Sequence, residues 1–117
     1  MNQNDIIGLV NAAVAIVRHI DESVGFYKEC RDLKVRCKVV QNIIDSNKYV
    51  LSIGSDEGLN KLKTVLEEAN RYLGNRKRSW LYRNPFMEKV FFLRIDKFVK
   101  DLDSSIIALN LSVSVCT

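Results

Sequence analysis

Residues 20–44, IDESVGFYKECRDLKVRCKVVQNII, decide how the chain divides. Upstream, Ile6, Val10, Ala13, Val17, Ile20 and Val24 recur at steps of four and three, which keeps one helix face toward a core. Continuing that register would bury Tyr27, Arg31, Lys34 and Lys38, which is untenable. A new stripe instead starts at Phe26 and runs through Cys30, Leu33, Cys37, Val40 and Ile44. The phase therefore jumps between Ile20 and Phe26, where Gly25 supplies a flexible point. Two helices are predicted here, the first capped by Asn4 or Asp5.

Working outward, DSNKYVLSIGSDEG at 45–58 carries the turn signals. Ser55 reads as the cap of a third helix whose first turn holds Asp56 and Glu57, the favourable charge sign at a helix start. Its stripe is Leu59, Leu62, Leu66, Ala69 and Leu73, and Gly74 with Asn75 stops it. Asn84 followed by Pro85 reads as a cap and first helical residue. The last stripe is Phe91, Ile95, Phe98, Leu102, Ile106 and Leu109, after which LSVSVCT loses the pattern. Only VLSI at 50–53 could be a strand, and it has no partner. The expectation is an all-α fold, an antiparallel four-helix bundle formed by residues 1–117 as one domain.

Composition agrees. A chain of 117 residues with five glycines, one proline and 47% hydrophobic content can bury a single core without staples. The N-terminus, MNQND, lacks the cationic start of a secretory signal. The longest apolar run, Ile6 to Val17, is shorter than the roughly twenty residues a membrane-spanning helix needs. Cys30 and Cys37, seven positions apart on one helix, would sit about 10.5 Å from each other, too far for a disulfide. With Cys116 the count is odd, which favours reduced thiols and a cytoplasmic setting.

The charge is concentrated. Residues 71–83, RYLGNRKRSWLYR, hold Arg71, Arg76, Lys77, Arg78 and Arg83 with Trp80, two tyrosines and no acid. The whole chain has 18 Lys+Arg against 14 Asp+Glu, so the remainder is nearly neutral at 13 against 14. Cations beside amphipathic rings suit an acidic membrane surface, where Trp and Tyr settle at the interface. They also suit nucleic acid, through phosphate neutralisation and base stacking. An exposed connection kept charged for solubility would read the same way. Nucleic acid is the weakest of the three, because the charges fill one connection and no recognised binding motif accompanies them.

Catalytic machinery is hard to assemble from these residues. His19 is the sole histidine, and no Cys or carboxylate pair surrounds it at metal-ligand spacing. The glycines of IGSDEG lack the Lys and Ser/Thr of a phosphate loop. Glu67 and Glu68 are adjacent and point about 100° apart on a helix. No calcium-loop spacing occurs. The chain reads as a non-enzyme with no cofactor and no metal.

The second helix contains C-x-x-L at Cys30 and Leu33, and the third contains L-E-E-A at Leu66, Glu67, Glu68 and Ala69. A basic loop, an aromatic-rich run and a long last helix with Phe98 and Leu102 follow. In this order the chain resembles the N-terminal HeLo-like helical domain of mixed lineage kinase domain-like pseudokinases and of fungal cell-death proteins. It is also similar to helical domains at the start of plant calcium-permeation proteins and helper-type plant immune receptors. The resemblance implies an effector domain of cell-death or immune signalling, attached to a regulatory domain in a longer chain. Such a domain homo-oligomerises on activation, moves from the cytoplasm to acidic membrane lipids, and permeabilises the bilayer or forms a cation pathway.

On the chemistry of this chain, Arg71, Arg76, Lys77, Arg78, Trp80 and Arg83 are the lipid-binding candidates. The first helix supplies the insertion candidates Ile6, Ile7, Leu9, Val10 and Val14. Opposite its stripe lie Ile7, Val14 and Ala15, with Leu9 and Ile16 on the flanks, so residues 6–17 are apolar nearly all round. Such a helix is either centrally buried or made for another apolar phase. A helical adaptor acting through protein contacts, without lipid, is the competing expectation.

Overall fold

The computed structural model describes residues 3–53, 57–75 and 85–116, and among them the chain is all-helical, with no strand. Among the described residues there are five α-helices: α1 (Gln3–His19), α2 (Lys28–Ser46), α3 (Lys48–Ile53), α4 (Glu57–Gly74) and α5 (Pro85–Cys116). A π-helical turn, Ile20–Val24, continues α1. At about 1.5 Å per residue α5 is about 48 Å long, and it sets the 49 Å long dimension of a molecule only 22 by 19 Å across.

The phase jump has its physical form in that π turn. A wider turn inserts a residue into the helical repeat, so Ile20 and Val24 both face the core. Gly25 keeps helical angles (φ −65°, ψ −15°), and a side chain there would place its Cβ 3.2 Å from the Ile20 carbonyl oxygen. Its need for glycine is thus close approach, not a flexible joint. Tyr27 then turns extended (φ −81°, ψ 132°), and its carbonyl accepts the first bond of α2, from the Arg31 amide at 3.0 Å.

Four buried stripes build one core. On α2 the residues are Cys30, Leu33, Cys37, Val40 and Ile44. On α4 they are Leu59, Leu62, Leu66, Ala69 and Leu73, as the sequence predicts, with Val65 added. Burying each large apolar side chain contributes about 1.5–3 kcal/mol. α1 packs on α2 and α4, α5 packs on the same two helices, and α3 lies against α1, α2 and α5. Lys34 bridges to Asp21 at 2.5 Å and Arg36 to Asp103 at 3.1 Å, linking α2 to the π turn and to α5. Both pairs are solvated, so packing outweighs them.

Several expectations are corrected. On α1 the core residues are Ile6, Leu9, Ala13 and Ile16, followed by Ile20 and Val24 of the π turn, while Val10 and Val17 are half-buried. The core thus draws one flank inward. Phe26 is half-exposed and does not begin the α2 stripe; Tyr27 packs on the core instead. The helix start at Gln3 puts Asn4 and Asp5 inside the first turn, not before it. Within the expected turn region, α3 forms and buries Leu51. Ile106 is only partly buried, and Ser105 takes the core position, its hydroxyl donating to the Asp101 carbonyl at 2.9 Å. The helix does not stop after Leu109, and Val113 packs against the core. Ser55, Asp56 and Asn84 lie outside the described residues.

Candidate functional site

Four elements bring their ends together at one pole. A Cβ added at Gly74, closing α4, would lie 3.4 Å from His19 Nε2, closing α1. Tyr27, entering α2, meets Phe92 near the start of α5 with ring centroids 4.8 Å apart, and its hydroxyl donates to Glu88 Oε2 at 3.4 Å. Tyr72 stacks on Phe91 at 6.0 Å, tying the end of α4 to the same turn of α5. Both flanks of the basic segment, Asn75 and Pro85, belong to this pole.

Positive charge is held here by aromatic faces. The Arg94 guanidinium lies 5.0 Å from the Phe98 ring centroid and 5.8 Å from that of Tyr72. A cation over a ring is attracted to its negative face, which holds the half-buried Arg94 guanidinium in place. With Glu68, exposed Arg71, Tyr72 and Asn75 it lines an open groove of about 280 Å³. A second groove, of about 490 Å³, is lined by Pro85, Phe86, Glu88, Lys89 and Phe92. Phe86 is exposed in this groove, and Phe26 is exposed at the same pole, its ring centroid 4.3 Å from that of Tyr27. The pole therefore offers cations and large apolar rings to solvent together, the combination an anionic apolar boundary accommodates.

The sequence candidates separate. Arg71 is exposed at this pole. Arg76, Lys77, Arg78, Trp80 and Arg83 lie outside the described residues. Of the α1 candidates, Ile6 and Leu9 are buried in the core, Val10 is half-buried, and only Ile7 and Val14 are exposed. Ile7 precedes His19 by twelve residues, about 18 Å along the helix, so it sits away from the basic pole. Arg94 and Lys89 escaped the sequence reading. The usable signal was Arg94 falling between Phe91 and Phe98 on the edge of one stripe.

Burial pushes the Cys30 thiol up to about 12, helped by the charge of Glu29, and pushes the Cys37 thiol up to about 12 as well. Both thiols are free, and neither carries the thiolate that reactivity or metal binding needs. Among the described residues there is no group of three or more metal-ligating side chains, and no helix is long and apolar enough to cross a membrane. Comparison with family models, with curated proteins and with solved structures finds no match to this chain.

Proposed function

We propose that this chain is a membrane-docking helical effector domain, without catalytic activity, whose four long helices form an antiparallel bundle. The paired ends of α1, α2, α4 and α5 support that arrangement. The observation that carries the function is the pole where the basic segment leaves and re-enters the helices, because exposed Arg71, Phe26 and Phe86 share it with the ring-held Arg94. Acidic lipid head groups are the partner this chemistry fits: cations draw the pole to the surface, and aromatic rings settle at the interface. The resemblance places such a domain in cell-death or immune signalling, as part of a longer regulated chain that waits in the cytoplasm and oligomerises when activated. In that setting the exposed Ile7 and Val14 of α1 are the residues available to enter the bilayer after docking.

Cosedimentation with liposomes tests the reading. Vesicles rich in acidic lipid should bind the protein and neutral ones should not, with binding falling as salt screens the attraction. Changing Arg71, Arg76, Lys77 and Arg78 to Glu should abolish most of it, since each cation near an anionic surface is worth about 1 kcal/mol. Equal binding by this variant and the parent would end the proposal.

A further inference from the structure

The outer face of α5 carries a second pattern that the core does not use. Phe86, Val90, Leu93, Lys97, Lys100, Ser104, Ile107 and Leu111 follow one another at alternating steps of four and three, and all eight are exposed. The apolar members are large and open to solvent: Phe86 is 67% exposed, Leu93 68%, Ile107 64% and Leu111 62%. A seam of period 3.5 on a helix surface is what pairs one helix with another. The core stripe of α5, from Phe91 to Leu109, lies on a different face.

The seam is also symmetric about a point between Phe98 and Val99. Reversing the helix end for end brings Phe86 level with Leu111, Val90 with Ile107, Leu93 with Ser104, and Lys97 with Lys100. The charges follow the same symmetry. Within one chain Lys97 pairs with Asp101 at 3.4 Å and Lys100 with Asp96 at 2.9 Å. Against a reversed copy, Lys97 stands about one residue rise, 1.5 Å, from the level of the partner's Asp101, and Lys100 equally close to the level of the partner's Asp96. By helix angle, Lys97 and Asp101 lie toward one flank of the seam and Lys100 and Asp96 toward the other, so each cation meets its anion on the same side.

We infer that the outer face of α5 pairs with a second copy of this chain, antiparallel and two-fold symmetric, through Phe86, Val90, Leu93, Ile107 and Leu111. The two-fold axis makes each contact occur twice, the usual economy of a homodimer. Apolar layers lie at both ends of the seam and the lysines at its centre. The seam shares Phe86 with the docking pole, but Ile107 and Leu111 lie about 20 Å or more along α5 beyond Arg94, so a change at Ile107 leaves the residues of the pole in place.

Sedimentation equilibrium of the parent and of Ile107→Glu tests it. The parent should dimerise at micromolar concentration, and Ile107→Glu should keep its helical circular dichroism while self-associating about thirtyfold more weakly or less. Lys97→Asp should also give monomer, and adding Asp101→Lys should restore the dimer. In a Cys116→Ser background, Leu93→Cys with Ser104→Cys should form a covalent dimer on oxidation. Leu93→Cys alone should not, because its two copies would be about 16 Å apart along the seam. Liposome binding by Ile107→Glu should persist, which separates this interface from the docking pole. A monomeric parent, an Ile107→Glu dimer as tight as the parent, or a disulfide formed by Leu93→Cys alone would each overturn the inference.

Discussion

Tyr27 and Phe92 meet edge to face, with ring centroids 4.8 Å apart and planes at 76°, across the junction of α2 and α5. This is the preferred geometry for two aromatic quadrupoles, and it fixes the pole that carries Arg71 and Arg94. Replacing each ring by Leu and then both should give a double-mutant coupling of about 0.5–1.5 kcal/mol in urea denaturation. Strict additivity would show that the rings are merely neighbours.

Gly8 sits within α1, exposed, with nothing within 4 Å of where a side chain would begin. Gly8→Ala should therefore stabilise the fold by about 0.5–1 kcal/mol, by restricting the unfolded chain and favouring helix. Gly25→Ala should behave oppositely, since its Cβ would press on the Ile20 carbonyl at 3.2 Å. Thermal melts of the two variants should move in opposite directions.

The thiols of Cys30 and Cys37, pushed up to about 12, should resist alkylation at pH 8 until the protein is unfolded. The linkage has a definite sign. Below about pH 9 both states keep these thiols neutral, so they leave stability unchanged; above it the unfolded chain ionises first and is favoured. Stability should fall as pH rises from about 9 toward 12, and Cys30→Ala with Cys37→Ala should flatten that dependence even while lowering stability at neutral pH.

Val14 is exposed on α1, so Val14→Glu should leave helicity and melting temperature nearly unchanged. If α1 enters the bilayer after docking, the added charge should cost a few kcal/mol at membrane depth and suppress dye release from acidic liposomes. Liposome binding itself should stay, because the basic pole is untouched. Dye release equal to the parent's would assign α1 to the core alone.

Much of the helical plan was legible. The stripes of α2 and α4 match the buried set from Cys30 to Ile44 and from Leu59 to Leu73, because a clean apolar period leaves one way to face a core. α1 was harder. Its residues are apolar nearly all round, so the period alone could not separate Leu9 and Ile16 from Val10 and Val17. α3 was hidden because Lys48–Ile53 is too short for its period to register and its neighbours are turn formers. The candidate site was legible as composition, through Arg71 and the segment after it. It was not legible as geometry, since Arg94, Phe26 and Phe86 come from elements distant in sequence.

By itself the sequence determined an all-helical chain, the phase break after Ile20, and the concentration of positive charge between Arg71 and Arg83. These are local properties, set by the spacing of apolar side chains and by counting charges along the backbone. Tertiary structure alone decided which flank of α1 is buried, which helix ends share a pole with Arg71, and that α5 has a second exposed seam behind its core stripe. Burial depends on which surfaces the neighbouring helices cover. A helix apolar on two faces acquires an inside and an outside only when those neighbours are in place.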